Sequence, residues 1–146
     1  MKVALIGFGE VGQVLGLGLM AAEIKAYDRQ FGQSRSEPAR RVASSRCEGA
    51  ASAAAAVSEA RVVISAVTVG QAVEAAESVH AALKPDTWYL DLNSASPEVR
   101  RRQAELIGAS GGRYVEAAVM APINPRGLDA PILLGGDHAT EFQTVA

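Results

Sequence analysis

Apolar residues in this chain come in short blocks. Residues 3–6, 24–27, 62–66, 88–90, 114–120 and 132–134 are nearly unbroken apolar runs. Runs of that kind predict strands buried on both faces of a parallel sheet. Between them lie stretches of helical character at 11–22, 38–45, 52–60, 71–83 and 97–107. The stretch 71–83 is rich in alanine, the strongest helix former. The stretch 97–107 carries its own start signal: Ser96 as N-cap, Pro97 at the first helical position and Glu98 at the positive end of the dipole, with Gly108 closing it. Alternating strands and helices predict an α/β fold: a Rossmann-like, doubly wound, mainly parallel sheet with helices on both faces and right-handed crossovers.

With 146 residues, 49% of them apolar and 21% charged, the chain has the balance of one globular domain, 1–146, with a core. The formal net charge of −2 gives no broad electrostatic footprint for nucleic acid or an anionic membrane. No run reaches the roughly 18 apolar residues a bilayer span needs. The apolar N-terminus is interrupted by Glu10 and Gln13 and by recurring glycines, so it reads as strand, turn and helix rather than as a signal peptide. A cytoplasmic location is expected. The single cysteine, Cys47, excludes a disulfide framework and a cysteine zinc cluster, and it reads as a small buried residue. The last residues, from His138, read as the start of a helix cut short at Ala146, the alternative being a short terminal helix.

Candidate chemistry begins at Gly7-Phe8-Gly9-Glu10-Val11-Gly12, a G-x-G-x-x-G that follows a buried strand and opens a helix. Gly7 permits the tight turn, Gly9 lets the backbone approach a pyrophosphate, and Gly12 lets the helix pack closely. The amides of residues 8–11 are then expected to face the phosphates, with the helix dipole behind them. Asp28 follows the second run, 21 residues after Gly7, where an acid accepts bonds from the adenosine ribose of NAD. Arg29 beside it suits the 2′-phosphate of NADP, which the Asp28 charge opposes, so NAD is favoured over NADP. Ala66, Val67 and Thr68 stand at the end of the third run, where small residues let the nicotinamide ribose come close; the alternative is a simple strand-to-helix turn capped by Thr68. Asn93 and Ser94, in Asp91-Leu92-Asn93-Ser94-Ala95-Ser96-Pro97, are uncharged hydrogen-bonding groups suited to the carboxamide or a polar substrate. The alternative for that segment is a turn whose side chains satisfy only the backbone.

Acid–base groups are scarce. Lys2 and Lys25 begin strands, and Lys84 and His80 lie at the same edge, opposite the glycine loop. His138 is the one histidine whose position allows an approach to the site, and a lone histidine in such a turn is more often structural. The residues show neither a metal-ligand cluster nor a Ser-His-Asp order, and no catalytic residue is assigned within the chain.

These motifs together resemble the N-terminal domain of the β-hydroxyacid dehydrogenases, which include 6-phosphogluconate and 3-hydroxyisobutyrate dehydrogenases. The resemblance rests on M-K-V-A-L-I-G-F-G-E-V-G, D-L-N-S-A-S-P, R-Y-V-E-A-A-V-M-A-P-I and P-I-L-L-G-G-D, and it covers essentially the whole chain. It implies an NAD- or NADP-dependent oxidoreductase acting on the hydroxyl of a small acid, with Asn93 near nicotinamide and substrate and Ser94 beside it. It also implies that the catalytic lysine and most of any homodimer contact belong to a helical C-terminal domain absent here. Relatives carry V-S-G-G where this chain has Val119-Met120-Ala121-Pro122, which argues against 6-phosphogluconate dehydrogenase itself and against a carboxylate clamp at this spot. Two other readings share the same residues: a stand-alone dinucleotide-sensing module, and the cofactor domain of an imine reductase-like enzyme.

Overall fold

The computed structural model describes residues 1–145, with Val69 as backbone only. Strand and helix alternate: β1 (Lys2–Ile6), α1 (Glu10–Gly18), β2 (Glu23–Tyr27), α2 (Glu37–Ala43), β3 (Glu48–Gly49), α3 (Ala53–Val57), β4 (Val62–Ser65), α4 (Ala72–Val79), β5 (Trp88–Asp91), α5 (Pro97–Ala109), β6 (Arg113–Val119), the one-turn α6 (Ile123–Arg126), β7 (Ile132–Gly135) and α7 (Ala139–Phe142). The seven strands form one sheet in the order β3-β2-β1-β4-β5-β6-β7. All pairs are parallel except β6 with β7.

Because side chains alternate across a strand, the sheet has two cores. On one face Val3, Leu5, Ile24, Val62, Ile64, Leu90 and Val115 pack with Leu15 of α1 and Phe142 of α7. On the other, Ala4, Ile6, Val63, Tyr89 and Tyr114 pack with Val57 of α3, Val79 of α4 and Ile107 of α5. Both faces are therefore covered, as the apolar runs require. Alanines on α3 and α4 let these helices lie close to the sheet: Ala53, Ala56, Ala75 and Ala76 are all buried.

Several expectations are corrected. Helix α1 stops at Gly18 rather than at 22, because Leu19 leaves the helical region at ψ 59°. Gly108 lies inside α5, and Gly111, at φ 76°, makes the turn that follows. The run 132–134 is a strand, yet an antiparallel one at the sheet edge, with Leu133 64% exposed. Strand β3 was not legible as a run: it is two exposed residues paired to β2.

Candidate functional site

The carboxyl ends of β1, β2, β4 and β5 lie level. Ile6 pairs with both Tyr27 and Ser65, and Ser65 pairs with Asp91. From β1 the chain runs outward through β2 to β3 and then crosses back to β4 on the other side of β1, so a crevice opens at that switch point. A cleft of about 370 Å³ lies there, lined by the glycine loop, Asp28, Arg29, Ala66, Val67 and Thr68 among others.

The three glycines of the loop have separate geometric roles. Gly7 sits at φ 92°, and a Cβ on it would fall 2.3 Å from the Ala66 carbonyl oxygen. Its N–H donates to the Tyr27 carbonyl at 2.8 Å. A Cβ on Gly12 would fall 2.4 Å from the Gly7 oxygen, so α1 packs directly on the turn. Around Gly9, by contrast, a Cβ would meet only the Arg41 guanidinium, 4.0 Å away. Gly9 is the N-cap of α1, and the first-turn amides of Glu10, Val11 and Gly12 have no acceptor within the helix.

Phe8 plays a different part from the one expected. Its ring is fully buried and meets Phe31 edge-on at 6.2 Å between centroids. Its N–H donates to Asp28 Oδ2 at 2.9 Å, so this amide faces the carboxylate rather than open cleft. Asp28 Oδ1 accepts from the Gln30 N–H, also at 2.9 Å. Arg29 lies 4.0 Å from Glu74, and the Gln71 amide, turned with its oxygen inward, accepts from the same guanidinium.

The wall formed by residues 66–68 is fixed from two sides. The Ala66 N–H donates to Ile6, and the Val67 N–H donates to Asn93 Oδ1 at 2.8 Å. Asn93 is 5% exposed, and its Nδ2 donates to Ser65 Oγ and to Asp91 Oδ1. Asp91 Oδ2 accepts the Tyr114 hydroxyl at 2.8 Å. Burial pushes the Asp91 carboxyl above the usual range, and bonds from Tyr114 and Asn93 oppose that shift. Asn93 thus braces the cleft from beneath, while Ser94 is exposed.

The sequence reading did not foresee Asn124, whose Nδ2 donates to Glu10 Oε1 at 2.6 Å across 114 positions of chain. No local pattern encodes a contact of that range. His138, for which the sequence leaves an approach to the site and a structural role both open, takes the structural one. The antiparallel β7 carries it away from the cleft, and its ring stands edge-on to Trp88, at the start of β5. Lys2 opens β1 as expected and pairs with Glu59, whereas Lys25 lies in the middle of β2 rather than at its start and pairs with Glu48. Cys47 is buried, and burial pushes its thiol up, which fits a quiet structural residue. Among the described residues, no group of three or more His, Cys, Asp or Glu could hold a metal ion, and no helix is long and apolar enough to cross a membrane.

The family profile described as the NAD binding domain of 6-phosphogluconate dehydrogenase matches residues 2–142. No curated protein matches the chain. Among solved structures, a conserved hypothetical protein from Sinorhizobium meliloti 1021 is 33% identical at a TM-score of 0.89, over 98% of this chain and 49% of that one. A conserved protein described as similar in structure to 3-hydroxyacid dehydrogenases is 30% identical at a TM-score of 0.83, over 99% of this chain and 54% of that one. The 3-hydroxyisobutyrate dehydrogenase of Mycobacterium tuberculosis, solved with L-serine, is 24% identical at a TM-score of 0.84, over 98% of this chain and 49% of that one. An imine reductase from Bacillus cereus, at 19% identity and a TM-score of 0.78, shares the fold. The chain spans about half the length of these structures. With the glycine loop, the acid after β2 and the switch-point cleft in place, this chain belongs to the 6-phosphogluconate dehydrogenase NAD-binding-domain family of oxidoreductases.

Proposed function

We propose that this chain is the cofactor-binding half of an NAD(P)-dependent oxidoreductase that moves a hydride between a nicotinamide and a small hydroxyacid-type substrate. The observation that carries the reading is the convergence of the glycine loop, Asp28 and residues 66–68 on one cleft between β1 and β4. The residues fit a dinucleotide, because the position a Cβ would take at Gly9 is open. When bound, the nicotinamide supplies the hydride donor or acceptor.

The chain's own residues bind and orient. First-turn amides of α1 hold phosphate. Asp28 accepts from the ribose hydroxyls, which favours NAD, with Arg29 as the opposing influence. Ala66, Val67 and Thr68 form the wall against the nicotinamide ribose, Asn93 sets that wall for cofactor and substrate through the Val67 N–H, and the exposed Ser94 is assigned to the substrate. Lys2 and Lys25 are paired with carboxylates and do not line this cleft, so the proton-transfer group is expected from a second domain of a longer protein. Dimer contacts are assigned to that domain too, and the location to the cytoplasm. Calorimetric titration with NAD and, separately, NADP tests the reading. Binding of either supports the site, tighter binding of NAD supports the preference, and binding of neither overturns the reading for this chain.

One observation favours a variant of this reading. Met120 is 62% exposed at the end of β6, where the family resemblance expects a carboxylate-binding serine. An imine-type substrate needs no such clamp. A panel of hydroxyacids and cyclic imines, offered to the full-length protein, separates the two.

A further inference from the structure

Gly9 is where the loop backbone is barest, and the one group that reaches toward its open side comes from a different helix. Arg41, in the last turn of α2, brings Nη1 to 4.0 Å from the place a Gly9 Cβ would occupy. Its other terminal nitrogen, Nη2, donates to Glu37 Oε1 at 2.6 Å, one turn earlier on the same helix. Among the described residues no acceptor holds Nη1. The guanidinium is therefore steered by one nitrogen and free at the other, and the free one faces the glycine loop.

The charges around the cleft give that position a meaning. Glu10, Asp28 and Glu74 line it, and the one cation lining it among the described residues, Arg29, leans on Glu74 and Gln71. A dinucleotide brings a doubly negative pyrophosphate into this acidic surrounding. The Phe8 amide, which would otherwise serve the phosphates, is engaged by Asp28. The helix dipole and the amides of α1 offset part of the repulsion, since a helix N-terminus acts as roughly half a positive charge. We propose that Arg41 is a phosphate-binding residue of this site, donating from Nη1 to the pyrophosphate over Gly9 while Glu37 orients the guanidinium. A 2′-phosphate would lie on the ribose side, beside Asp28 and Arg29. The inference rests on the reading of the cleft as a dinucleotide site.

The test is titration of the 146-residue chain and its variants with ADP-ribose, NAD and NADP. ADP-ribose carries the pyrophosphate without nicotinamide or 2′-phosphate. Arg41→Met is expected to weaken all three by about ten- to a hundredfold, the loss of a charge-assisted hydrogen bond. Arg41→Lys, which keeps the charge and loses the fork, is expected to fall between. Arg40→Met makes the same charge change at an exposed neighbour and is expected to bind like the parent. The Glu37 pair is an exposed i,i+4 contact that adds little to stability, so these variants fold, as a thermal melt will show. Unchanged ADP-ribose binding by Arg41→Met, with the parent binding well, overturns the assignment of Arg41 alone. A loss confined to NADP also overturns it, by moving Arg41 to the 2′-phosphate. Failure of the parent to bind ADP-ribose overturns the dinucleotide reading and the inference with it.

Discussion

The carboxylate of Asp28 accepts the backbone N–H of Phe8 at 2.9 Å, so the end of β2 holds the glycine loop in place before any cofactor arrives. With Gln30 on the other oxygen, two of its roughly four acceptor positions are used, and two remain for ribose hydroxyls. Asp28 is thus both a brace and a candidate ligand. Asp28→Ala leaves the Phe8 N–H without its acceptor, at a cost of about 1–3 kcal/mol. The melting temperature is expected to fall by several degrees. NAD binding is expected to weaken more than NADP binding, because the variant also removes a charge that repels the 2′-phosphate. Equal losses for the two cofactors would leave Asp28 as a brace with no part in discrimination.

Asn93 makes the corresponding link between β4 and β5. Its side chain serves Val67, Ser65 and Asp91 at once. Asn93→Ala strands the Val67 N–H and two acceptors, and a loss of about 2–3 kcal/mol is expected in urea unfolding. Asn93→Asp keeps an acceptor for Val67 and sets a second carboxylate against Asp91. It is expected to be worse than the alanine variant at pH 7 and to recover as the pH falls and the pair takes up a proton. A pH-independent gap between the two variants would show that charge repulsion is not the cause.

The buried runs and the glycine spacing were legible because both are local. Each needs only neighbours in sequence: a strand buried on two faces must be apolar throughout, and a strand-to-helix turn at φ 92° takes glycine. What was not legible depends on distant chain. Strand β3 is paired through Glu48 and Gly49, neither of which has a strand signature. The apolar residues 19–22 extend the expected helix past the end of α1, yet burial of Ala22 belongs to the turn into β2. The Asn124–Glu10 contact and the reach of Arg41 toward the open side of Gly9 arise only when separate elements dock, and so does the turning away of His138 by an antiparallel strand.

Asp91 gives the fold a specific pH response. Burial raises its folded-state pKa above the unfolded value of about 3.9. Between the two values the folded state holds more of the proton than the unfolded chain does. The contribution of Asp91 to stability is therefore greatest below the unfolded value and is lost as the pH rises through the folded one. Tyr114, pushed up by burial and by the Asp91 charge, stays neutral throughout. Asp91→Asn keeps an acceptor for Asn93 and removes the titration. The stability difference between parent and variant, measured by urea unfolding from pH 3.5 to 7, is expected to shift steadily in the variant's favour as the pH rises. A difference that does not vary with pH would mean that Asp91 titrates alike in both states.

The three loop glycines separate folding from binding. Gly7→Ala combines a positive φ with a 2.3 Å approach to backbone, and Gly12→Ala drives a Cβ to 2.4 Å from the Gly7 oxygen. Neither obstacle is a flexible side chain, so both variants are expected to lose several kcal/mol, at or beyond the exceptional end for single substitutions. Gly9 differs: its φ of −73° and ψ of −155° suit any residue, and its Cβ would enter open space. Gly9→Ala is expected to melt within about two degrees of the parent, or slightly above it, since alanine restricts the unfolded chain. The same methyl group stands where the pyrophosphate must approach, so NAD, NADP and ADP-ribose binding should all fall by more than tenfold. Melting curves and titrations on the same three preparations decide the matter. A stable Gly9→Ala that binds dinucleotide like the parent would mean that phosphate is not held over Gly9, and the Arg41 assignment would fall with it.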